Sequence, residues 1–233
     1  LMQIIKNEIM LGDCMDLLKE LPDKSIDIAI LDPPYGIGED GSKNITRGKR
    51  ASFGKNSKSK AKTYAKEYKP YSGNDKEPPA IEYFDEIKRV SRKYVIFGAN
   101  HFITRINIDS PCWIVWDKRN DANDFADCEL ALTNYKSAVR IFRHKWNGML
   151  QENMKEKENR VHPNQKPVAL YRWILQKYAK PGQLILDTHS GSGSLACACH
   201  LEKFDFIAIE KDPHYHALSV KRLEELRSQG VLF

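Results

Sequence analysis

Residues 25–40 read "SIDIAILDPPYGIGED", an apolar run that ends on an acidic residue and two consecutive prolines. The run "IDIAIL" shows no polar alternation after Asp27, which predicts a strand that is buried on both faces. Such strands are typical of parallel sheets whose two faces are covered by helices. The stretch therefore predicts an α/β fold in which Asp32 stands at the carboxyl end of a central strand.

The rest of the chain alternates between short apolar runs and helical patterns. Further strands are predicted at "MLGD", "YVIFG", "QLILD" and "FIAIEKD", with helices between them. Two more runs, "CWIVWDK" and "CELALTNY", predict a pair of strands near a sheet edge. This order indicates a doubly wound α/β sheet in a single domain over residues 1–233.

The composition is that of a globular chain with one core. The 233 residues are 41% hydrophobic and 29% charged, and no apolar run approaches the length of a membrane span. The beginning "LMQIIKNEIM" lacks the pattern of a secretion signal, so we expect a cytoplasmic protein without membrane contact. The five cysteines are scattered without a C-x-x-C pair, and we expect neither a disulfide framework nor a metal site.

Positive charge is concentrated in one segment. The net charge is +6, yet residues 41–70 contain ten lysine and arginine residues and one acidic residue. The segment has little apolar periodicity, so we expect a basic, mobile loop over residues 38–77. Its charge favours a nucleic-acid backbone as the partner, and the interleaved Phe53, Tyr64, Tyr68 and Tyr71 suit contacts to sugars or unstacked bases.

Four acidic groups are predicted at strand ends that share one rim of the sheet: Asp13, Asp32, Asp187 and Glu210. The loop "DTHSGSGSLA" matches the pattern G-x-G-x-x-A, and Glu210 follows its first glycine by 19 residues. A carboxylate there can accept both hydroxyls of a ribose. A nicotinamide dinucleotide and S-adenosylmethionine both remain compatible with this loop, as does a role in strand-to-helix packing alone.

The "DPPY" turn indicates chemistry on an amine. Two prolines stop the strand and hold the backbone extended, which clusters hydrogen-bond acceptors beside the ring of Tyr35. The exocyclic amine of a nucleobase is a poor nucleophile because its lone pair is delocalised into the ring. If the Asp32 carboxylate and the Pro33 carbonyl each accept one amine hydrogen, the lone pair can turn toward a methyl donor. These acceptors would bind the amine more strongly as positive charge develops on its nitrogen.

The motifs "DPPY", "HPNQKPVAL" and "LDTHSGSGS" resemble those of the amino-methyltransferases that modify DNA at adenine N6 or cytosine N4. The resemblance is to the group whose target-base motif precedes its cofactor motif, and it covers residues 9–36 and 160–226. It implies a Rossmann-like methyltransferase sheet, mostly parallel with one antiparallel edge strand, and places "MLGD" at the other edge. It also implies S-adenosylmethionine as cofactor and a flipped-out base stacked on Tyr35.

The predicted site residues fall into three groups. The catalytic group is Asp32, Pro33, Pro34 and Tyr35. The cofactor group is Asp13, Cys14, Asp32, Asn164, Lys166, Asp187, His189, Ser190, Gly191, Ser192, Gly193, Ser194, Glu210 and Lys211. Within it the resemblance assigns Asp13 to the adenine, Glu210 to the ribose, and Asn164 with Lys166 to the methionine carboxylate. The nucleic-acid group is Arg47, Lys49, Arg50, Lys55, Lys58, Lys60, Lys62, Arg143, Lys145 and Trp146.

The chain departs from the family pattern beside the glycines. The family usually has Phe where His189 stands and often Pro where Thr188 stands, so His189 is expected to pack as a flat ring and to alter cofactor affinity and its pH dependence. By the resemblance, Asp at the first position of the turn favours N6 of adenine. Cytosine N4, adenine in RNA, a nicotinamide-dependent oxidoreductase and a non-catalytic nucleic-acid-binding module remain as alternatives.

Double-stranded DNA is the expected substrate. Target reading is predicted from the basic loop and from residues 140–160, where Trp146 suits either a core position or a wedge between bases. The absence of a large recognition domain predicts a short or relaxed target sequence. The resemblance is compatible with a homodimer and a cognate restriction endonuclease, as in restriction-modification, and with a bacterial or phage-encoded protein held at the nucleoid through DNA.

Overall fold

The computed structural model describes residues 4–39, 68–69, 75–120, 126–147 and 150–229. The strands are β1 Ile9–Leu11, β2 Ile26–Leu31, β3 Ser91–Phe97, β4 Trp113–Asp117, β5 Cys128–Thr133, β6 Arg140–Arg143, β7 Trp146–Asn147, β8 Leu150–Gln151, β9 Leu184–Asp187 and β10 Asp205–Glu210. The helices are α1 Cys14–Glu20, α2 Ile81–Val90, α3 Ile103–Ile106, α4 Val168–Tyr178, α5 Ser194–Glu202 and α6 Pro213–Ser228, with a 3₁₀ turn at Ala99–His101. Most of the loop predicted over residues 38–77 lies outside the described residues.

The main sheet has eight described strands in the order β1-β10-β9-β2-β3-β5-β4-β6. Strands β1, β10, β9, β2 and β3 run parallel to one another. The predicted doubly wound α/β sheet is confirmed, and β1 lies at one edge as expected. A separate hairpin pairs β7 with β8.

The antiparallel strand is not at the edge, and that part of the prediction was wrong. Strand β5 runs antiparallel to both of its neighbours, β3 and β4, and is third from the end of the sheet. Strand β6 pairs parallel to β4 and forms the edge. The physical reason is burial: Ala131, Leu132 and Thr133 of β5 are fully buried, whereas Ile141 of β6 is half exposed. The apolar strand β5 therefore lies inside the sheet, and the more polar strand β6 is exposed to solvent at its edge.

Helices cover both faces of the sheet. Ile28 and Ile30 of β2 point into a core shared with α4, α5 and α6. Ala29 and Leu31, which alternate with them, point into a second core shared with α1 and α2. The strand is therefore buried on both faces, as its continuous apolar run predicted.

The winding reverses between β9 and β2. From β2 the chain proceeds to β3 on one side, and from β9 it proceeds to β10 on the other. The two strands pair parallel, with Ala29 opposite Leu186, so both carboxyl ends leave the sheet at the same edge. Ligands of doubly wound sheets bind at such a point, beyond the carboxyl ends of the strands.

Local signals set the helix beginnings that border this edge. Asp13 caps α1 and accepts a hydrogen bond from the Met15 amide at 2.9 Å, as predicted from its position before the helix. Helix α4 begins directly after Pro167, also as predicted. Asp212 caps α6 through the amides of His214 and Tyr215. Among the described helices, none combines the length and apolar character that crossing a membrane would require.

Candidate active site

The four predicted carboxylates lie along one edge of the sheet. Asp13 follows β1, Asp32 follows β2, Asp187 ends β9 and Glu210 ends β10, and these four strands are consecutive neighbours in the order β1-β10-β9-β2. Burial raises the pKa of Asp187 to about 8, and the nearby charges of Glu210 and Asp32 add to this. The three groups therefore act within one electrostatic environment.

The Asp32 carboxylate belongs to a cluster of four charged side chains and one tyrosine, here called the acceptor corner: Asp32, Tyr35, Lys118, Glu129 and Lys166. Asp32 Oδ1 accepts hydrogen bonds from Lys166 Nζ at 2.5 Å and from the Tyr35 hydroxyl at 2.8 Å. Lys166 Nζ also lies 3.0 Å from Glu129 Oε2, whose other oxygen is 2.5 Å from Lys118 Nζ. Lys166 is 4% exposed and Glu129 22%, so these charges pair with one another largely out of water.

The pairing sets the protonation of the corner. Burial raises the pKa of Asp32 against the opposing charge of Lys166. Burial would also raise the pKa of Glu129, but Lys166 and Lys118 outweigh it and lower that pKa to about 2. Burial lowers the pKa of Lys166, but the two carboxylates outweigh it and raise the pKa overall. Glu129 is therefore a stable anion and Lys166 a stable cation.

The Tyr35 ring is held by the turn after β3. Gly98 has a left-handed φ of +68°, and a Cβ at that position would overlap ring atoms of Tyr35. His101 stacks on the Tyr35 ring with a centroid distance of 5.4 Å and an interplanar angle of 17°. A base that stacks on this face must displace His101, whose side chain is exposed. Burial raises the pKa of Tyr35 well above its usual value, so its hydroxyl stays a neutral donor.

A buried carboxylate fixes the chain just after the "DPPY" turn. Asp75 is 2% exposed, and its two oxygens accept the amides of Gly36 at 2.9 Å and Glu39 at 2.8 Å. The Gly38 amide donates to the Asp75 carbonyl. Asp75 thus joins the two described ends of the loop predicted over residues 38–77.

The glycine loop, residues 190–194, is shaped by its backbone. Gly191 and Gly193 have left-handed φ values of +51° and +72°. Glu210 accepts the Gly191 amide at 2.6 Å and the Asp212 amide at 2.9 Å, so its carboxylate ties the loop to the end of β10. Burial raises the pKa of Glu210. The loop and the predicted ribose acceptor are thereby brought together.

Arg222 supports the far side of the glycine loop. Its guanidinium donates to the Ser192 carbonyl at 3.0 Å and to Ser194 Oγ at 2.9 Å. The same group pairs with Glu158 at 2.7 Å and is 16% exposed. Ser192 and Ser194 also bond to each other through their hydroxyls. These two predicted cofactor residues therefore hold the loop in shape.

The two departures from the family pattern form one hydrogen-bonded chain. The Tyr83 hydroxyl lies 2.6 Å from Thr188 Oγ1, which lies 3.0 Å from His189 Nδ1. The Tyr83 and His189 rings meet edge to face, and His189 Nε2 is 4.0 Å from Cys14 Sγ. Burial lowers the pKa of His189 to about 4, so the ring is neutral at pH 7. It packs as a flat ring, with polar contacts to Thr188 and Cys14 that a phenylalanine could not make.

The remaining predicted cofactor residues differ in their surroundings. Lys211 pairs with Asp13 at 2.7 Å at the surface, where Lys211 is 70% exposed. Asn164 is exposed and donates to the Glu39 carbonyl at 2.6 Å. Lys166 lies in the acceptor corner, as described above. The structure therefore separates Asn164 from Lys166 in environment, although the resemblance assigns both to one carboxylate.

The predicted nucleic-acid residues divide by location. Arg47, Lys49, Arg50, Lys55, Lys58, Lys60 and Lys62 lie outside the described residues, as do Phe53, Tyr64 and Tyr71. Arg143 is 58% exposed and lies 3.4 Å from Asp117. Trp146 is 7% exposed and its indole N–H donates to the Gln165 carbonyl at 2.8 Å. Its assignment to DNA contact is corrected, because the ring packs in the core.

Sequence reasoning missed four residues that shape the site: Lys118, Glu129, Arg222 and Asp75. Glu129 offered one signal, since it is a charged residue at the start of the otherwise apolar run "ELAL" in β5. The partners of the other three come from distant parts of the chain, so their local sequence carries no comparable signal.

Comparisons with known proteins agree with this fold. A family model described as DNA methylase, of the N6 and N4 methyltransferases, matches residues 112–221. The Type II methyltransferase M.HinfI of Haemophilus influenzae is 26% identical over 95% of this chain and 69% of its own length. The M1.HpyAVI complex with S-adenosylmethionine superposes with a TM-score of 0.56 at 21% identity, over 93% of this chain and 98% of that one. The cytosine-N4-specific PvuII DNA methyltransferase has the same fold, with a TM-score of 0.54 at 12% identity, over 96% of this chain and 94% of that one. The family model and the related methyltransferases support a DNA amino-methyltransferase family for this chain.

Proposed function

We propose that this protein transfers the methyl group of S-adenosylmethionine to the N6 amine of adenine in a nucleotide flipped out of double-stranded DNA. The observation that carries the proposal is the adjacency of two strand ends. The Asp32 carboxylate leaves β2 beside the end of β9, and the glycine loop follows β9 directly. An acceptor for an amine and a loop for an adenosyl cofactor therefore lie at the ends of neighbouring strands, where ligands of doubly wound sheets bind.

The glycine loop fits an adenosyl cofactor. Among the described residues, the atoms nearest to a Cβ at Gly191 belong to the His162 ring, at 3.8 Å, so a ligand can approach the backbone there. Each Glu210 oxygen accepts one backbone amide and retains a lone pair for a ribose hydroxyl. When bound, S-adenosylmethionine supplies a methyl group attached to a positively charged sulfur.

The acceptor corner suits the amine. Within the described residues, the hydrogen bonds to the Asp32 carboxylate all go to Oδ1, which leaves Oδ2 for an incoming N–H. The Pro33 carbonyl is the second acceptor. As the amine nitrogen becomes positive, both acceptors bind it more strongly than they bind the neutral amine, which lowers the barrier to transfer. No side chain forms a covalent bond to the base in this scheme.

The choice of adenine rests on the aspartate that begins the turn, and cytosine N4 is the alternative. The experiment incubates the purified protein with isotopically labelled S-adenosylmethionine and either mixed-sequence DNA or RNA, digests the product, and identifies the labelled nucleoside. We expect N6-methyldeoxyadenosine. N4-methyldeoxycytidine would overturn the choice of base, and label in RNA alone would overturn the choice of substrate.

Calorimetry provides a separate check on the cofactor. We expect binding of S-adenosylmethionine and none of NAD. Binding of NAD without S-adenosylmethionine would instead favour an oxidoreductase. DNA binding that weakens with salt, with no transfer of label at all, would favour a module that binds DNA without catalysis.

A further inference from the structure

Lys166 lies between two carboxylates that come from different strands. Its ammonium is 2.5 Å from Asp32 Oδ1 and 3.0 Å from Glu129 Oε2, and it is 4% exposed. Asp32 follows β2, whereas Glu129 is in the antiparallel strand β5. The residue lies just before α4, in the motif that the family resemblance assigns to the cofactor. Among the described residues, its polar contacts are with Asp32, Tyr35 and Glu129.

We propose that Lys166 and Glu129 are positioning residues for Asp32: Lys166 occupies Asp32 Oδ1 until the target amine arrives, and Glu129 then retains the displaced ammonium. The proposal rests on the proposed function, since it concerns how the amine reaches its acceptor. It assigns Lys166 to the target-base side of the site and gives Glu129 a part in the reaction.

Glu129 is equipped to retain the lysine. Lys118 binds its Oε1 at 2.5 Å, which leaves Oε2 for Lys166. The pKa of Glu129 lies at about 2, because the two lysines outweigh the effect of burial, so this carboxylate stays ionised. An ammonium released by Asp32 therefore keeps an anionic partner without entering water. Because two carboxylates and two ammonium groups sum to zero, a neutral amine enters a neutral corner.

The exchange prepares Asp32 for the transition state. An ammonium on Oδ1 draws charge from the whole carboxylate, so Oδ2, which carries no hydrogen bond within the described residues, is a weaker acceptor for the amine while Lys166 is bound. Once Lys166 moves toward Glu129, the carboxylate has full acceptor capacity for the amine that becomes positive. Tyr35 bridges the same groups, 2.8 Å from Asp32 and 3.3 Å from Glu129, and can hold both carboxylates during the exchange.

The alternative position for Lys166 is the methionine carboxylate of the cofactor. Moving the ammonium there would leave the Asp32 carboxylate without its cation and reduce the neutralisation of Glu129. Other titratable groups facing Asp32 are Asp187, Tyr83 and Tyr171, and none of them is a cation that could replace Lys166. The geometry therefore favours retention of Lys166 in the acceptor corner.

The first test separates the two assignments by calorimetry. Lys166→Gln is titrated with S-adenosylhomocysteine, which carries the amino-acid carboxylate, and with 5′-methylthioadenosine, which lacks it. We expect the affinity for both ligands to stay within about 3-fold of the unchanged protein, as it should for the exposed control Lys180→Gln. A loss of about 10-fold or more for S-adenosylhomocysteine alone would overturn the proposal. That result would overturn the proposal even if the unchanged protein methylates DNA, so the proposed function would still stand.

The second test uses the pH profile of kcat. Loss of the ammonium makes Asp32 harder to ionise. In Lys166→Gln the acid limb, which is the fall of kcat on the acidic side of the profile, should therefore move to higher pH. Loss of the carboxylate makes Asp32 easier to ionise, so Glu129→Gln should move the limb to lower pH. Each variant should lower kcat by about 100-fold at the optimum. Lys166→Arg, which keeps the charge, should leave the limb near its original pH.

The controls separate this role from simple support of the fold. The exposed Glu224→Gln should leave both kcat and its pH profile unchanged, and thermal unfolding should show that each variant is folded. The proposal would be overturned if Lys166→Gln and Glu129→Gln lost kcat equally and the acid limbs of their pH profiles did not move in opposite directions. If the unchanged protein transfers no methyl group to DNA, the proposed function fails and this inference fails with it.

Discussion

The acceptor corner and the glycine loop lie at the ends of neighbouring strands, yet one is formed mainly by side chains and the other mainly by backbone. The corner is made of four charged side chains and one tyrosine from four parts of the chain. Its ion pairs are largely shielded from water. The loop is made of glycines, serines and backbone amides, and its shape depends on two left-handed residues. One region controls charge and the other controls the path of the backbone.

This difference predicts different consequences of substitution. Replacing a member of the corner changes which carboxylates are ionised and what they can accept, so the rate and its pH dependence should respond first. Replacing a member of the loop changes how closely a ligand or a neighbouring helix can approach. Cofactor affinity and the free energy of unfolding should then respond first. The four predictions below test this division, beginning with the largest effect.

Asp32→Ala removes the acceptor from the corner, and we expect the single-turnover rate of methyl transfer to fall by about 1000-fold. Affinity for S-adenosylhomocysteine should change by less than about 5-fold, because the glycine loop is untouched. Rapid-quench kinetics and calorimetry measure the two quantities. The exposed Asp109→Ala is the control and should match the unchanged protein. A rate for Asp32→Ala within 10-fold of normal would contradict the role given to the corner.

Gly98→Ala places a methyl group where the Tyr35 ring lies, at a backbone conformation with φ +68°. We expect the free energy of unfolding to fall by about 3 kcal/mol, through overlap and backbone strain together. Gly182→Ala is the matched control, since Gly182 has φ +84° with nothing within 4 Å of the added Cβ. It should cost about 1 kcal/mol. Urea denaturation measures both, and equal costs would show that Tyr35 is not held by this turn.

His189→Phe restores the ring that the family usually has at this position. Burial lowers the pKa of His189 to about 4, so the unfolded chain takes up a proton near pH 6.5 before the folded chain does. The protein should therefore lose stability as the pH falls from about 6.5 to 4, by up to about 3 kcal/mol. In His189→Phe this part of the pH dependence should disappear. Thermal unfolding between pH 4 and 7 tests it, and an unchanged slope would contradict the assignment.

Gly191→Ala and Gly193→Ala should separate the two functions of the glycine loop. A Cβ at Gly193 would lie 3.1 Å from the Ser219 Cβ and 3.2 Å from Ile9 Cδ1, whereas a Cβ at Gly191 would meet nothing closer than 3.8 Å. We expect Gly193→Ala to cost about 2 kcal/mol of stability and Gly191→Ala about 1 kcal/mol. Calorimetry should show the larger loss of cofactor affinity in Gly191→Ala. The reverse order would place the ligand elsewhere.

Local signals accounted for much of the fold and for the outline of the site. The continuous apolar run of β2 predicted a strand buried on both faces, and the prolines after it predicted where it ends. Asp13 was recognisable as a helix cap from its position alone. The glycines at 191 and 193 were recognisable because few other residues tolerate left-handed backbone in a tight turn.

Long-range pairing accounted for most of what the sequence did not reveal. The place of β5 inside the sheet depends on which strands it meets, and β6, with arginines at both ends, gave no strand signal. Lys118 and Glu129 join Asp32 only through the pairing of β4, β5 and β3. The resemblance assigned Lys166 to the cofactor from its motif, and only the structure shows the two carboxylates beside it. Burial likewise removed Trp146 from the predicted DNA surface.

The central claim is that Asp32 grips an amine beside the cofactor, and a structure of the protein with S-adenosylhomocysteine and target DNA tests it most directly. We predict that the target amine nitrogen lies about 2.7–3.2 Å from an Asp32 carboxylate oxygen, with Lys166 Nζ closer to Glu129 than to Asp32. A bound base whose amine is more than about 4 Å from Asp32 would contradict the account.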